Sequence, residues 1–171
     1  MTPVTDGELL PFDPITGDII VRRAPAEHTP EEHNPRGRTP GERQPPDNLP
    51  RRKVVTNVPR TVVHHSPSGY EFGYGGSGPA DLALNVLNLF APPGADGLRP
   101  VRCYRHAASR TAWQLHQLFK WKFIGPLPEE GGVIPGTLIR AWIAEQQPAI
   151  LEHYVLMEQE PEEQEEGEVK A

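Results

Sequence analysis

The apolar residues of the chain concentrate between residues 79 and 157, and their spacing predicts helices. The first helix is predicted over residues 79–90, where apolar positions cover most of the circumference and a single stripe is polar. Pro79 suits its first turn because the missing N–H is not needed there. The polar stripe follows the helical spacing i, i+4 and i+7 and consists of Asp81, Asn85 and Asn88.

Two further helices are predicted after this one. The second ends at Trp121 and begins at about Tyr104 or about Ala107, and Ser109 is its cap in one version. The third covers residues 137–147, with apolar residues on one side. We expect Pro148 to interrupt this third helix before it continues as a short segment, because proline lacks the N–H that the helical ladder needs.

The strand signals lie mostly ahead of the helices. β-Branched residues over 54–63 predict an entry strand, and the aromatic alternation over 70–74 predicts a second strand after a Ser-Pro-Ser-Gly turn. Together they predict a β-hairpin. Residues 17–23 read either as a turn with a short strand or as a transient extended segment, and residues 122–124 read as the start of a strand.

Composition separates a folded middle from two polar ends. The chain has 21 prolines and 16 glycines among 171 residues, and the prolines crowd into its first third. Ordering each backbone residue costs roughly 1–2 kcal/mol, which a segment with few apolar residues cannot offset by burial. We predict a largely disordered proline-rich arm over residues 1–53, a globular domain over residues 54–157 and a disordered acidic tail over residues 158–171. The fold class is α+β, a β-hairpin followed by about three helices.

Charge and cysteine content narrow the class of protein. The formal net charge is −6, and the acidic excess lies in the tail, so a basic nucleic-acid footprint is absent overall. Cys103 is the only cysteine, which rules out an internal disulfide and a multi-cysteine zinc site. No apolar run approaches the roughly 20 residues that span a bilayer. We expect a cytoplasmic protein that does not associate with a membrane.

The glycine-rich loop over residues 73–78 is the best candidate for function. Bare backbone ahead of a helix can bind an anion, because its N–H groups point outward. The P-loop and dinucleotide patterns both fail, since no lysine stands at the helix start and no parallel-strand unit with a downstream acid follows. The alternative is a tight connection in which the glycines allow close packing against Trp121 or Trp142.

Titratable residues flank this loop. His64, His65, Glu71 and Asp81 are residue types that bind metals or transfer protons. Adjacent histidines on a strand point to opposite faces, so they do not easily bind one ion, and the other histidines lack a metal-binding spacing. A structural or surface role is therefore favoured. We predict no metal site, no cofactor and no catalytic residue.

A basic and aromatic region follows later in the chain. Stacking on aromatic rings combined with phosphate contacts is how single-stranded nucleic acid is often bound. The alternative is that Trp113 and Trp121 belong to the core and the cations are solvated. The members of this region are Arg102, Arg105, Arg110, Lys120, Trp121 and Lys122.

The stretch from His65 to Asn85 resembles the signature of an uncharacterised family found in bacteria, archaea and their phages, a domain of unknown function. The signature reads H-S-P-x-G-(Y/F)-x-(F/W)-G-Y-G-G-S-G-P-A-x-L-A-L, and residues 117–122 and 139–142 also follow the family's pattern. The chain differs in its inserted proline-rich arm and in Gly132, where an aromatic residue is common. The resemblance implies a phage or mobile-element setting and no particular activity.

From these features we expect a non-enzymatic binding protein, a phage or mobile-element accessory protein that engages a host or viral protein. Extended arms often bind partners by ordering on contact, which favours this class. The alternatives are a small-anion or nucleotide-binding domain, with or without catalysis, through residues 73–78, and a nucleic-acid binder through residues 120–122. The sequence leaves the oligomeric state open. The candidate binding residues are His65, Tyr70, Phe72, Tyr74, Gly75, Gly76, Ser77, Gly78, Asp81, Lys120 and Trp121.

Overall fold

The computed structural model describes residues 11–24, 52–103 and 106–159, and over these ranges the chain forms the expected α+β fold. The remaining parts of the predicted arm and tail lie outside the described residues. In chain order the elements are β1 (Ile19–Arg23), β2 (Val54–Thr56), α1 (Ser77–Phe90), β3 (Val101–Cys103), β4 (His106–Ala108), α2 (Arg110–Phe119), a π-helical turn (Lys120–Ile124), β5 (Gly131–Ile134) and α3 (Gly136–Gln159).

β1 is the central strand of a three-stranded antiparallel sheet, between β2 and β5. Arg23 pairs with Val54, and just beyond them Ala24 N donates to the Lys53 carbonyl oxygen at 2.8 Å. The strand interpretation of residues 17–23 is therefore correct. A stretch within the range predicted as the arm contributes the middle of the sheet.

The hairpin predicted from residues 54–63 and 70–74 does not form. β2 pairs with β1 instead, and residues 70–74 are not a strand. Gly69, just before this segment, and Gly73, within it, have φ angles of 127° and 81°, which interrupt extended backbone. The two-stranded hairpin of the fold consists of β3 and β4 and lies between α1 and α2.

α1 is the centre of the core. The predicted helix is confirmed, and every residue from Gly78 to Leu87 is buried, so both its apolar and its polar positions face protein. α2 packs along α1. At the start of α2 the Ser109 hydroxyl accepts a hydrogen bond from Ala112 N at 3.0 Å, which confirms Ser109 as the cap. The helix begins at Arg110, whereas Ala107, one of its two predicted starts, lies in β4, and Tyr104, the other, lies outside the described residues.

The strand start predicted at residues 122–124 is wrong, because the chain remains helical there. α2 continues directly into the π turn, which closes with a bond of 2.8 Å from Gly125 N to the Lys120 carbonyl oxygen. Phe119 and Ile124 both stay buried on the core side. Helical spacing is what places these two apolar side chains in the same core.

Pro148 does not interrupt the third helix, which runs through it without a break. Proline leaves the carbonyl group of Ala144 without its helical N–H partner. Both residues are exposed, so water can bond to that carbonyl oxygen. The expected interruption therefore does not occur.

Gly131 marks the one place in the sheet where a side chain is sterically excluded by close backbone. Its φ is 92°, and a Cβ added there would overlap the Val21 carbonyl oxygen of β1. Glycine thus allows the turn before β5 to run directly into the ladder. The neighbouring Gly132 lies against the Leu127 side chain.

Candidate functional site

The glycine loop is covered by side chains of the protein itself. A Cβ added at Gly75 would overlap the indole ring of Trp121, so glycine lets this ring rest directly on the main chain. Trp142, the other tryptophan that the packing interpretation named, lies in the core with its ring centroid 5.5 Å from that of Phe119. The geometry supports close packing against Trp121.

The start of α1 is covered by Glu71. A Cβ added at Gly78 would lie 2.6 Å from the Glu71 Cβ atom, so this side chain rests on the first helical turn. The Glu71 carboxylate pairs with Arg23 at 2.6 Å, and the Arg23 guanidinium lies 4.3 Å from the centroid of the Phe72 ring. The Glu71 side chain thus occupies space over the first turn of α1, where an anion would approach. The arrangement therefore favours packing over anion binding.

Asp81 is fully buried, with 0% of its surface exposed. Its carboxylate accepts hydrogen bonds from three consecutive backbone N–H groups, at 3.2 Å from His64, 2.7 Å from His65 and 3.0 Å from Ser66. A carboxylate that accepts several N–H bonds fixes the backbone around it. Asp81 therefore holds the turn that presents His65 to α2.

Asn85 and Asn88, the other members of the polar stripe, also form hydrogen bonds with the main chain of distant segments. Asn85 Oδ1 accepts from Val62 N at 2.8 Å, and its Nδ2 donates to the Val62 carbonyl oxygen at 2.7 Å. Asn88 Oδ1 accepts from Ser109 N at 3.0 Å, at the cap of α2. The stripe is therefore a row of anchors for loops on either side of α1, buried at Asp81 and Asn85 and partly buried at Asn88.

A pair of histidines joins the Asp81-held turn to α2. His116 Nδ1 lies 2.6 Å from the Trp113 carbonyl oxygen, which can only accept, so Nδ1 carries the proton. His116 Nε2 is then an acceptor, and its single lone pair is shared between His65 Nε2 and Gln117 Nε2, each at 2.9 Å. The Gln117 amide is oriented by Lys120, whose ammonium donates to Gln117 Oε1 at 2.7 Å.

Burial is the main reason that the pKa values of His65 and His116 both lie below 6.5, the ordinary value for histidine. The nearby His64 lowers the pKa of His65 further, whereas Asp81 opposes the change. Both side chains therefore bind protons more readily in the unfolded chain. Their contribution to stability is complete above pH 6.5 and is lost as the pH falls from there through their folded-state pKa values.

Lys120 is a buried cation that meets oxygen atoms and an aromatic ring. Besides Gln117, its ammonium faces the Gly75 carbonyl oxygen at 3.5 Å and lies 4.6 Å from the centroid of the Trp121 ring. The ion pairs found among the described residues do not involve it. Lys120 thus links the histidine pair, the glycine loop and Trp121 in one continuous cluster.

Trp121 is 61% exposed although Gly75 and Lys120 hold its inner side. Leu118, three residues earlier, is 57% exposed, and Tyr74 is 37% exposed. Residues three apart on a helix are neighbours on its surface. We call the exposed patch made by Tyr74, Gly75, Leu118 and Trp121 the Trp121 surface.

The predicted site residues divide into exposed and internal groups. Tyr70 bonds to the Pro59 carbonyl oxygen at 3.0 Å, and burial raises the pKa of its hydroxyl. Phe72 belongs to the core. Those that are fully or partly exposed are His65, Tyr70, Tyr74, Gly75, Gly76, Ser77 and Trp121, and those that are buried are Phe72, Gly78, Asp81 and Lys120.

Sequence reasoning missed His116, Gln117 and Leu118. The helical spacing of His116 and Lys120 places them on one face of the second helix, which was available from the sequence. The approach of His65 to His116 was not, because 51 residues separate them. Only the packing of α1 against α2 brings the two rings together.

The predicted basic and aromatic region is not one surface. Arg110 begins α2 and Lys120 follows its end, so they are about 15 Å apart along the helix. Arg102 lies in β3, close in the chain to the first of these ends, and Arg105 lies outside the described residues.

The described part of the chain contains neither a metal-binding cluster nor a helix that could cross a membrane. No group of three or more histidine, cysteine, aspartate or glutamate side chains is placed to hold a metal ion there. None of the helices described in the structure has the length and apolar character that crossing a membrane requires.

Comparison with models of known protein families gives a match within the first part of the chain. Residues 46–96 match a family model described as "Family of unknown function (DUF6166)". This range contains the glycine loop and α1, and it confirms the resemblance to a domain of unknown function. Neither a curated protein nor a solved structure matches the chain.

Proposed function

We propose that the protein is a non-enzymatic binding module that engages a partner protein through the Trp121 surface. The observation that carries this proposal is a tryptophan that is 61% exposed and yet seated on the Gly75 main chain and beside the Lys120 ammonium. A side chain that is already ordered loses little conformational entropy when a partner covers it. Tryptophan and tyrosine are also enriched among residues that dominate binding energy at interfaces.

In this proposal the backbone of the glycine loop supports the indole ring of Trp121. Any side chain at Gly75 would displace Trp121, and a side chain at Gly76 would lie 3.0 Å from Tyr74 Cζ. The bare backbone thus fixes both aromatic residues of the Trp121 surface. The motif would position a binding residue rather than contact the partner mainly by itself.

The expected partner surface has an apolar pocket for the indole and acidic groups at its edge. Lys122 is exposed immediately beside Trp121 and can pair with such a group. The phage or mobile-element setting, with a host or viral protein as partner, belongs to this proposal. So does a reducing cytoplasmic compartment, for which the single buried thiol of Cys103 is suitable.

The small-anion or nucleotide alternative has less support. Trp121 and Glu71 occupy the space above Gly75 and Gly78, where a phosphate would approach. The nucleic-acid alternative needs the Lys120 ammonium, which is buried and directed at a carbonyl and an amide oxygen. Thermal-shift measurements with nucleotides and salt-dependent oligonucleotide titrations test these two alternatives directly.

The proposal is tested by site-specific photo-crosslinking in the full chain. A photoreactive amino acid replaces Leu118 on the Trp121 surface, and the matched control replaces Leu138, which is 47% exposed on α3. In host-cell extract we expect one protein to crosslink from position 118 and not from position 138. A variant in which a short Asn-Gly loop replaces residues 25–51 distinguishes binding through the proline-rich arm from binding through the Trp121 surface.

Once purified, that partner should bind the Trp121→Ala variant at least about 30-fold more weakly, which corresponds to about 2 kcal/mol. Val133→Ala removes an apolar side chain that is 57% exposed on β5 and should leave affinity unchanged. Equal affinity for both variants would refute the proposal. Loss of crosslinking only when residues 25–51 are replaced would assign binding to the arm instead.

A further inference from the structure

We propose that Arg99, Arg102 and Arg110 form an anion-binding face whose occupant is the acidic carboxy-terminal segment of the same chain, residues 160–171. We call these three residues the arginine face. The proposal is independent of the Trp121 surface, which lies at the other end of α2.

The arginine face lies where the β3–β4 hairpin meets the start of α2. Arg99 and Arg102 are exposed, ahead of β3 and within it, and Arg110 is the first residue of α2. Arg110 Nε donates to the Arg99 carbonyl oxygen at 3.1 Å, which brings these two residues together. The ion pairs found among the described residues involve none of the three.

The nearby carboxylate of Asp96 is already engaged. Its Oδ2 accepts from Thr111 N and Thr111 Oγ1, each at 3.0 Å, and its Oδ1 accepts from Leu98 N at 3.1 Å. Asp96 therefore caps the start of α2 and tightens the preceding loop. The guanidinium groups of the arginine face therefore remain available for another anion.

α3 runs towards the arginine face and ends at the residue before the acidic segment. Trp142, near the beginning of α3, contacts Phe119 at the end of α2, whereas Tyr154 bonds to Gln114 and lies 5.1 Å below the Arg110 guanidinium. The two helices are therefore antiparallel. The end of α3 lies at the same end of the molecule as the arginine face.

The segment that follows has suitable charge and length. Twelve extended residues reach up to about 40 Å, and a tethered segment has a local concentration on the order of millimolar. Arginine binds carboxylates through two parallel hydrogen bonds, which favours it for this role. Against the single cation Lys170, the segment carries Glu160, Glu162, Glu163, Glu165, Glu166 and Glu168.

The test is nuclear magnetic resonance of the full chain and of a tail-neutral variant, in which each glutamate of residues 160–168 becomes glutamine. The two chains have the same length, so only charge differs. At about 20 mM salt we expect the arginine Nε–H signals of the arginine face to differ between them, and at about 0.5 M salt to coincide. The Arg140 signal serves as the internal control, because its guanidinium bonds to the Ile15 and Thr16 carbonyl oxygens.

A second measurement uses a single-stranded oligonucleotide as a polyanion probe. The tail-neutral variant should bind it at least tenfold more tightly than the full chain at low salt, and Arg102→Gln should remove that gain. Identical arginine signals in the two chains would overturn the proposal. Arginine signals that change with protein concentration would mean that the tail binds a second copy of the chain. Equal oligonucleotide affinities of the full chain and the tail-neutral variant would show that the tail does not cover the arginine face. Either result would also overturn the proposal.

Discussion

Replacing Asp81 with alanine removes the acceptor of three consecutive backbone N–H groups, those of His64, His65 and Ser66. Ser66 is buried and His65 partly so, whereas His64 is exposed. Water can therefore satisfy the donor of His64 in the variant, but it reaches the other two poorly. The perturbation leaves about two buried donors without a partner.

An unpaired buried donor costs about 1–3 kcal/mol. Two such donors, together with the small cavity left by the carboxylate, should lower the free energy of unfolding by about 3–5 kcal/mol. This is a large part of the 5–15 kcal/mol typical of a whole domain. Asp81→Asn keeps one oxygen acceptor and should cost about half as much.

The measurement is urea denaturation followed by circular dichroism, with the free energy obtained by linear extrapolation. The control is Asp96→Ala, which also removes an acceptor of backbone N–H bonds but from a half-buried site that water can reach. The reasoning fails if Asp81→Ala costs less than about 1 kcal/mol, or no more than Asp96→Ala. The graded Asp81→Asn variant keeps the comparison measurable if the alanine variant is unfolded.

Two further predictions concern the cluster around the glycine loop. The free energy of unfolding should be nearly constant above pH 6.5 and fall below it, because the pKa values of His65 and His116 are lowered in the folded state. Urea titrations at several pH values measure this, and His116→Gln should flatten the dependence; an unchanged slope would contradict the assignment. Gly75→Ala should displace the Trp121 ring at a cost of less than about 1 kcal/mol, because an exposed ring can move aside, and it should alter tryptophan fluorescence. In a Trp121→Ala background the same change should have no spectral effect, and a persisting effect would mean that the glycine has another role.

Local signals explain which helices were predicted well. The proline in the first turn of α1, the Ser109 cap and the apolar spacing all act within a few residues. Pro148 was misjudged because its cost depends on whether the freed carbonyl group meets water, which is a property of the folded surface. Residues 122–124 were misjudged because burial of Ile124 beside α1 maintains helical spacing there.

The strands were harder because each needs a partner distant in the chain. β-Branched composition indicated the strand at residues 54–56, but its partner is β1, across the segment 25–51, and not residues 70–74. The extended character of residues 17–23 was visible, and only pairing on both sides makes it the central strand. β3 and β4 are too short for composition to indicate them.

The sequence by itself determined that the chain has a glycine-rich connection, an almost wholly apolar helix with one polar stripe, and acidic residues at its carboxy-terminal end. These follow from residue types at fixed spacing, which act locally. Only the tertiary structure decided that Asp81 and Asn85 of the stripe are buried and bonded to remote backbone, and that Trp121 rests on Gly75. A polar residue on a helix can face water or satisfy buried main chain, and the choice depends on which other segments fold against it.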